Sequence, residues 1–472
     1  MITFDYKPTK RQAQLITDSE TLSMIRNHFS VKNDGASFAK RKGHRFVKDR
    51  KYAITPTGLF DFGFYGEILK HLRDNQITDI TFTDEFRNRL KCGIGKFEFK
   101  DELKYDARYY QKDSIIAGLE KGYGVFLLAT GAGKSLAQAL LIENYMENVS
   151  NDTFKCLIVV PGLSLVNQLQ KDFEDYQVTF SYSGWTGESP LQDTQVVICN
   201  TQNLGSKFTD NPWILDVNLL IVDECHGVNS DANLSKIINK IKTPNKFGFT
   251  GTLSDKPLNQ WKTLGVFGPV IYEKKSKELR DEKYLSNVNI NILKLKHPKT
   301  HKLNYKQELE YLYKNEKRND FICKLASKLN GNVLIMVNHL EHGDSLLSVL
   351  SNRLDRHIYF VKGEVDVQER QKIIDMMEKN DNIICIAMSS IFSTGINIKN
   401  LPNIMFVGLG KSFIRVVQSI GRGLRLHESK DKLRIFDIVD NTKYSSSHAE
   451  YRKEIYDKED IQWTERIIEI NE

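Results

Sequence analysis

Residues 126–135, FLLATGAGKS, constrain the fold more than any other stretch of this chain. The apolar residues at its start predict a buried strand, and the residues after Lys134 predict a helix. Between them, Gly131 and Gly133 allow the backbone to bend so that its N–H groups point inward. Those N–H groups and the N-terminus of the helix together form a cradle for an anion.

The cradle predicts a nucleotide phosphate site, because each position with a chemical role is filled. The Lys134 ammonium can reach the β- and γ-phosphates of a nucleotide, and the Ser135 hydroxyl can hold Mg²⁺. The first position of the strict pattern is Leu128 rather than Gly, and a purely structural turn is the alternative. The residues expected to bind the nucleotide here are Thr130, Gly131, Ala132, Gly133, Lys134 and Ser135.

Two adjacent acids follow the apolar run LLIV at 219–222, in the segment DECH at 223–226. An acid at the carboxyl end of a strand can reach a magnesium ion beside a phosphate loop, so Asp223 is assigned to Mg²⁺. Glu224 is expected to be the base that orients and deprotonates the attacking water. His226 is placed to sense the γ-phosphate. The alternative is a pair of surface turn residues, and the phosphate loop upstream favours the site.

Polar residues elsewhere in the first half predict further contacts. Gln111, in RYYQ at 108–111, has an amide that could read both edges of adenine, although a solvated side chain is the alternative. Segments that follow two predicted strands carry hydroxyls, amides and helix N-termini suited to the phosphates of a single strand. The predicted strand contacts are Pro161, Gln168, Thr201 and Gln202. The segment TGT at 250–252 is expected to relay between nucleotide and nucleic acid, and the loop around Trp185 is a candidate for the strand-separating element.

The second half of the chain has no phosphate loop, but it has the segment QSIGRGLR at 418–425. Arg422 and Arg425 are three residues apart on one helical face, and their planar guanidinium groups suit a transferring γ-phosphoryl group. We expect them, with Gln418, to act on nucleotide held by the first half; a solvated helix face is the alternative. Thr394 and Gly395 are expected to lie near the nucleotide and the bound strand.

Short apolar runs that alternate with helical stretches indicate α/β architecture with parallel sheets covered on both faces. We predict two such sheet domains in tandem, preceded by a small basic α+β domain. The polar residues 274–300 are interpreted as the linker and entry to the second sheet. The predicted domains are 1–98, 99–280 and 281–445, followed by a charged helical tail at 446–472.

The positive charge of the chain is concentrated near its start. The formal net charge is +7, and residues 1–100 contain 19 Lys/Arg against 12 Asp/Glu, which accounts for the whole excess. Because Lys/Arg clusters neutralise phosphates, the run KRKGHRFVKDRK at 40–51 predicts binding to the backbone of duplex or junction DNA rather than to bases. A solvated hairpin is the alternative. The predicted contacts are Lys40, Arg41, Lys42 and Arg45.

Other features exclude several classes of protein. No apolar run approaches the roughly 20 residues that span a bilayer, and the N-terminus lacks the apolar core of a signal peptide. The six cysteines include no Cys-x-x-Cys pair, which argues against a zinc site and for reduced thiols. We therefore expect a cytoplasmic protein with no membrane partner.

The ordered set of motifs resembles that of the superfamily 2 helicases, and the whole chain resembles the UvsW-type helicases of tailed bacteriophages. The departures are Leu128 in the phosphate loop and Cys225 in the acidic motif, and neither removes a catalytic group. The motifs are RYYQ (108–111), ATGAGKS (129–135), PGLSLVNQ (161–168), DECH (223–226), TGT (250–252), STGINI (393–398) and QSIGRGLR (418–425).

The resemblance implies two RecA-like domains that use ATP and Mg²⁺. It implies an enzyme of phage replication and recombination that migrates junctions, regresses forks and unwinds RNA–DNA hybrids in the host cytoplasm. Its partners would be branched or duplex DNA, RNA–DNA hybrids and a single-strand-binding protein. Three alternatives remain: an RNA helicase, a translocase subunit of a restriction complex, and an ATP-gated clamp that separates no strands.

Overall fold

The chain folds into two compact units, one made of Met1–Leu128 with Gly133–Lys274 and the other of Ala129–Ala132 with Lys275–Glu472. They are described from a computed structural model. The residues that it describes are 1–33, 36, 42–43, 47–148, 153–187, 189–229, 232–297, 303–362, 367–389, 398, 400–408 and 432–470.

The first unit begins with a small mixed sheet in the strand order β5-β2-β1-β6. β1 is antiparallel to β2 and parallel to β6, while β3 and β4 form a separate antiparallel pair. The elements are β1 (Ile2–Lys7), β2 (Gln12–Ile16), α1 (Ser19–His28), β3 (Ser30–Lys32), β4 (Arg50–Tyr52), β5 (Leu59–Asp61), α2 (Tyr65–Asp74), β6 (Ile80–Phe82) and α3 (Asp84–Leu90).

A seven-stranded parallel sheet follows in the same unit, in the order β13-β7-β12-β11-β8-β10-β9. Its central strands β8 and β11 are apolar and buried, as expected where helices cover both faces. The elements are α4 (Tyr109–Lys121), β7 (Gly124–Leu128), α5 (Lys134–Asn148), β8 (Cys156–Val160), α6 (Leu163–Tyr176), β9 (Tyr182–Trp185), β10 (Val196–Asn200), α7 (Thr201–Lys207), β11 (Leu219–Asp223), α8 (Ala232–Lys240), β12 (Lys246–Thr250), α9 (Pro257–Phe267) and β13 (Val270–Lys274).

Aromatic side chains join the small sheet to helix α9. The ring of Phe29 lies edge-on to Trp261 with centroids 5.4 Å apart, and Phe64 lies 5.9 Å from the same indole. Aromatic pairs at these separations add to the stabilisation from burial. The N-terminal residues and the large parallel sheet therefore share one packed body.

The second unit is built around another seven-stranded parallel sheet, in the order β16-β17-β15-β18-β19-β14-β20. The predicted α/β class, with two tandem parallel sheets preceded by a small α+β part, is confirmed. The elements are α10 (Ser276–Asp281), β14 (Asn287–Lys296), α11 (Tyr305–Lys314), α12 (Glu316–Ser327), β15 (Val333–Val337), α13 (Leu340–Ser351), β16 (Ile358–Val361), α14 (Val367–Lys379), β17 (Ile384–Met388), β18 (Asn403–Phe406), β19 (Lys432–Asp440), α15 (Lys443–Lys458) and β20 (Trp463–Glu469).

Residues 274–300, interpreted from the sequence as the linker and entry to the second sheet, contain the strand β14. β14 lies inside the second sheet, paired with β19 on one side and β20 on the other. Its sequence NVNINILKLK alternates polar and apolar residues, and Val288, Ile290 and Ile292 are buried. That alternation is the signature of a strand with one buried face, which the absence of a continuous apolar run concealed.

The last part of the chain also differs from the predicted helical tail. α15 ends at Lys458, and Trp463–Glu469 then forms the edge strand β20, parallel to β14. Most of β20 is exposed, so its side chains give little signal of a strand. No helix among the described residues is long and apolar enough to cross a membrane.

Candidate active site

The predicted phosphate loop connects β7 to α5 at the carboxyl edge of the first large sheet. Gly131 and Gly133 have φ angles of +88° and +78°, which other residues adopt only with strain. A Cβ atom at Gly133 would also lie 2.4 Å from the Gln111 side-chain nitrogen. Lys134 is the first residue of α5, so its side chain starts at the helix N-terminus. The loop therefore has the backbone geometry that a phosphate cradle requires.

Glu224 brings the acidic motif to the phosphate-loop lysine. Its carboxylate lies 3.3 Å from Lys134 Nζ through one oxygen and 3.3 Å from His226 Nδ1 through the other. Its backbone has a φ of +47°, a conformation uncommon outside glycine. Such strain in a residue packed between a lysine and a histidine is typical of a functional position. Asp223, Glu224 and Lys134 are thus brought together as predicted from sequence.

The two carboxylates have opposite electrostatic environments. Burial, reinforced by the charge of Glu224, raises the pKa of Asp223 above its usual value. Burial acts in the same direction on Glu224, but Lys134 and His226 outweigh it and lower the pKa of this carboxyl. Asp223 Oδ1 is buried and has no hydrogen-bond partner among the residues that the structure describes. An oxygen that is buried and unpaired fits a ligand position for a hard cation.

Thr250 links the acidic motif to the neighbouring strand. β12 pairs with β11, which places Thr250 next to the end of the strand that carries Asp223. The Thr250 hydroxyl lies 2.8 Å from His226 Nδ1 and donates to the Thr252 carbonyl at 2.9 Å. A hydrogen-bonded path therefore runs from Glu224 through His226 to the TGT segment.

Gln111 is placed beside the phosphate loop but is engaged by the chain itself. Its Oε1 accepts from the backbone N–H of Arg108 at 2.9 Å, and its Nε2 donates to the Gly133 carbonyl at 3.1 Å. The residue is 2% exposed. Both ends of the amide thus support the motif, and reading adenine would require these bonds to be exchanged.

Two residues near these motifs carry no signal in the sequence. The hydroxyl of Tyr176, at the end of α6, lies 2.8 Å from that of Ser135. Lys274, at the end of β13, is buried, and its ammonium donates to the Tyr109 hydroxyl at 2.7 Å. Both contacts join positions far apart in the chain, so only the fold reveals them.

Predicted strand-binding residues cluster at the ends of β8 and β10, which are neighbours in the sheet. The Thr201 hydroxyl donates to the Pro161 carbonyl at 3.2 Å, which brings the two segments together. Gln202 is exposed at the start of α7, and Gln168 is partly exposed on α6. These positions agree with a shared surface, and their contacts with nucleic acid stay predictions.

Trp185 itself is not available as a strand-separating side chain, and the loop around it stays a prediction. Trp185 is 5% exposed in β9, and its ring centroid lies 6.2 Å from that of Trp213. A buried indole packed against a second one cannot be inserted between bases. The aromatic residue fills the hydrophobic core of the first unit instead.

Several predicted residues lie outside the described part of the chain. Lys42 is described and exposed. The others, for which the sequence predictions stand as made, are Lys40, Arg41, Arg45, Thr394, Gly395, Gln418, Arg422 and Arg425.

Comparisons with known proteins agree with this geometry. The family described as type III restriction enzyme, res subunit, matches residues 104–255, and the helicase conserved C-terminal domain matches 316–427. The ATP-dependent DNA helicase uvsW of Enterobacteria phage T4 is 29% identical over 465 residues, which cover 92% of this chain and 90% of that protein.

Two solved structures show the fold at lower identity. The ATP-dependent type ISP restriction-modification enzyme LlaBIII bound to DNA has a TM-score of 0.60 and 14% identity, over 84% of this chain and 34% of that one. Dbp5 of S. cerevisiae, bound to RNA and ADP BeF3, has a TM-score of 0.55 and 16% identity, over 77% of this chain and 90% of that one.

A phosphate loop, an acidic motif paired with its lysine, and two tandem parallel sheets define an ATP-dependent nucleic-acid motor. The chain belongs to the superfamily 2 helicases. Within that superfamily, its likeness to the UvsW-type phage helicases extends over nearly its whole length.

Proposed function

We propose that this helicase uses ATP to remodel branched DNA by migrating junctions, regressing forks and unwinding RNA–DNA hybrids. The observation that carries the proposal is the contact of Glu224 with both Lys134 and His226 at the carboxyl edge of a parallel sheet. In such sheets, ligands bind at that edge. The name of the phage T4 relative, an ATP-dependent DNA helicase, supports DNA as the polymer.

Mg²⁺ fits the donor set at this edge. Ser135 and Asp223 would hold it, because Asp223 Oδ1 is an unpaired buried oxygen among the described residues and Ser135 offers a hydroxyl. When bound, the ion would neutralise phosphate charge and help to orient the triphosphate.

Side chains of the first unit would bind the phosphates, activate the water and transmit the state of the nucleotide. Lys134, now paired with Glu224, would turn to the β- and γ-phosphates, which leaves the carboxylate to orient water and accept its proton. Before nucleotide binds, the contacts with Lys134 and His226 lower the pKa of Glu224 and keep its carboxylate ionised. His226 and Thr250 would transmit the state of the γ-phosphate to the TGT segment.

Residues from the rest of the chain complete the proposed cycle. Gln111 would bind adenine, Gly395 would lie near the nucleotide, and Arg422, Arg425 and Gln418 would stabilise the transferring phosphoryl group. The contacts to nucleic acid would come from Pro161, Gln168, Thr201, Gln202, Thr394, Lys40, Arg41, Lys42 and Arg45. A single-strand-binding protein would be the partner for the strands released, in the cytoplasm of the host cell.

The test is ATP turnover stimulated by a forked DNA. Lys134→Ala removes the ammonium that meets the phosphates and should lower stimulated turnover by at least about 100-fold. Lys171→Ala, an exposed lysine on α6, is the matched control and should behave as the wild type. Wild-type turnover in Lys134→Ala, with the fold intact by circular dichroism, would rule out this nucleotide site.

The match of residues 104–255 to a restriction-enzyme subunit supports a second candidate function, a translocase that moves along DNA for a partner nuclease. A panel of forks, four-way junctions, RNA duplexes and linear duplexes separates the possibilities. A branched-DNA helicase displaces a labelled strand from forks and junctions. A translocase subunit hydrolyses ATP on linear duplex without displacing either strand.

A further inference from the structure

A basic groove lies between the N-terminal part of the first unit and helix α9. It has a volume of about 420 Å³. Five of its lining residues are cationic, and none of the described residues that line it is acidic. Asp49 precedes Arg50 in sequence but is not among them. The cationic lining residues are Arg26, Lys48, Arg50, Lys51 and Lys262.

Two of the cations are held in place by the chain. The Arg26 Nε donates to the Ile54 carbonyl at 3.2 Å, and the Arg50 guanidinium donates to the Ser30 hydroxyl at 2.9 Å and to the Ser30 carbonyl at 3.2 Å. Fixed guanidinium groups lose little conformational freedom when an anion arrives. Lys48 and Lys51 are exposed and supply further positive charge beside them.

The remaining cation, Lys262, comes from the ATP-binding part of the unit. It is exposed on α9, next to Trp261, whose indole packs against Phe29 and Phe64. The groove is therefore composite, and its two sides cannot separate without breaking an aromatic core. α9 begins five residues after Thr252, so this side of the groove follows the TGT segment in the chain.

The described lining of the groove offers no free aromatic face on which bases could stack. Sites for single strands combine positive charge with aromatic rings on which bases stack. Tyr52 is the aromatic residue among the described residues lining the groove, and the Arg26 guanidinium already lies 4.8 Å from its ring centroid. A site made of cations with its aromatic face covered suits the sugar–phosphate backbone of a duplex.

We propose that this groove binds the backbone of a duplex arm of the DNA substrate. The inference rests on the proposed function and deepens it: Lys48, Arg50 and Lys51 belong to the run at 40–51 for which the sequence predicts backbone binding, and the groove adds Arg26 and Lys262, which the sequence did not single out. Lys262 makes the site part of the body that carries the ATP-binding residues, so the arm is held in a fixed orientation relative to them.

The test is equilibrium binding of a 20-base-pair duplex and of a 20-nucleotide single strand, without nucleotide, over a series of salt concentrations. Each lost phosphate contact on B-form DNA lowers the slope of log affinity against log salt by about 0.9. The triple variant Lys48→Ala, Lys51→Ala, Lys262→Ala should therefore reduce the duplex slope by about 3. Lys262→Ala alone should reduce it by about 1.

The matched control is the triple variant Lys70→Ala, Lys91→Ala, Lys96→Ala. It removes the same charge from exposed positions that do not line the groove, and its duplex slope should equal that of the wild type. An unchanged duplex slope in the groove variant, or an equal reduction of the slope in the control, would show that the groove does not bind duplex DNA. Equal reductions of the slope for single strand and duplex would refute the preference for a duplex. An unchanged slope in Lys262→Ala would show that α9 does not contribute to the site.

These outcomes are independent of the proposed function. Binding is measured without ATP. If DNA stimulated no ATP turnover in the wild type, the proposed function would be refuted, but the salt slopes would still decide whether the groove binds duplex DNA. Conversely, wild-type slopes in the groove variants would refute duplex binding by the groove, and Lys134→Ala would still test the proposed ATP-dependent activity.

Discussion

Lys246 is a buried lysine at the first position of β12. It is 8% exposed, and its ammonium donates to the Ile238 carbonyl at 2.7 Å. Burial, together with the charges of Arg89 and Arg11, lowers its pKa to about 7. In the unfolded chain a lysine has a pKa of about 10.4. At pH values between these two, Lys246 is therefore protonated in the unfolded state and mostly neutral in the folded state.

This difference predicts a pH dependence of stability. The penalty from Lys246 is full below about pH 7 and disappears as pH rises toward about 10.4, because there the lysine is neutral in both states. The free energy of unfolding of Lys246→Met should exceed that of the wild type most at about pH 7. The excess should shrink by about 1.4 kcal/mol per pH unit above that. Urea unfolding at a series of pH values from about 7 to about 10 measures it.

Lys70→Met, at an exposed position on α2, is the control for this pH series. Its stability relative to the wild type should be the same at each pH, because an exposed ammonium keeps its hydration on folding. A constant difference between Lys246→Met and the wild type across the series would mean that Lys246 is protonated in the folded protein.

The sequence predicts which residues lie close together where a local pattern carries the chemistry, and their catalytic roles stay predictions. Lys134, Asp223 and Glu224 are recognisable because each follows an apolar strand in a short motif, and the fold brings them together. Lys246, Lys274 and Tyr176 could not be predicted, because their roles depend on partners far away in the chain or on burial by other elements. Tertiary contacts, rather than residue type, define them.

At the scale of elements, Glu308 joins helix α11 to helix α15. The carboxylate is 3% exposed and accepts from the Thr442 hydroxyl at 2.7 Å and from the backbone N–H groups of Tyr444 and Ser445 at 3.0 and 2.9 Å. The first N–H groups of a helix have no partner within the helix. A carboxylate from a second helix thus satisfies them and complements the positive end of the helix dipole.

Removing this carboxylate should loosen the start of α15. Glu308→Ala leaves buried donors unpaired and should destabilise the second unit by about 2 kcal/mol. Hydrogen exchange of the peptide that contains Tyr444 and Ser445 should accelerate accordingly. Glu310→Ala removes an exposed carboxylate of the same helix, paired with Lys314, and should leave that exchange rate unchanged. Equal protection in both variants would show that Glu308 does not hold the helix end.

Elements were predictable in proportion to how completely they are buried. β7 and β11 contain continuous apolar runs, and the sequence located both of them. β14 has one buried face, and β20 is an exposed edge strand, so neither has a run of apolar residues. Their place in the sheet comes from backbone pairing with neighbours, which a single sequence does not display.

For the whole molecule, charge and catalytic groups are unevenly distributed along the chain. The excess positive charge falls in the first 100 residues, and the phosphate-loop lysine and acidic motif lie in the first unit. The second half has neither motif, yet the helicase C-terminal family matches it up to residue 427, two residues beyond Arg425. In a motor, ATP bound to the first half must also change the second half. We therefore expect Arg422 and Arg425, which lie in the second half, to be required for ATP turnover.

We therefore predict that Arg422→Ala and Arg425→Ala each lower stimulated ATP turnover by about 1,000-fold or more, since arginines that stabilise phosphoryl transfer contribute on that scale. The KM for ATP should change far less, because Lys134 and the phosphate loop supply ground-state binding. Arg466→Ala, an exposed arginine on β20, is the control and should retain wild-type kcat. Steady-state kinetics with saturating forked DNA measures both constants. If both variants kept the wild-type kcat, hydrolysis would need only groups of the first unit, and the coupling of fuel use to movement would have to arise elsewhere in the chain.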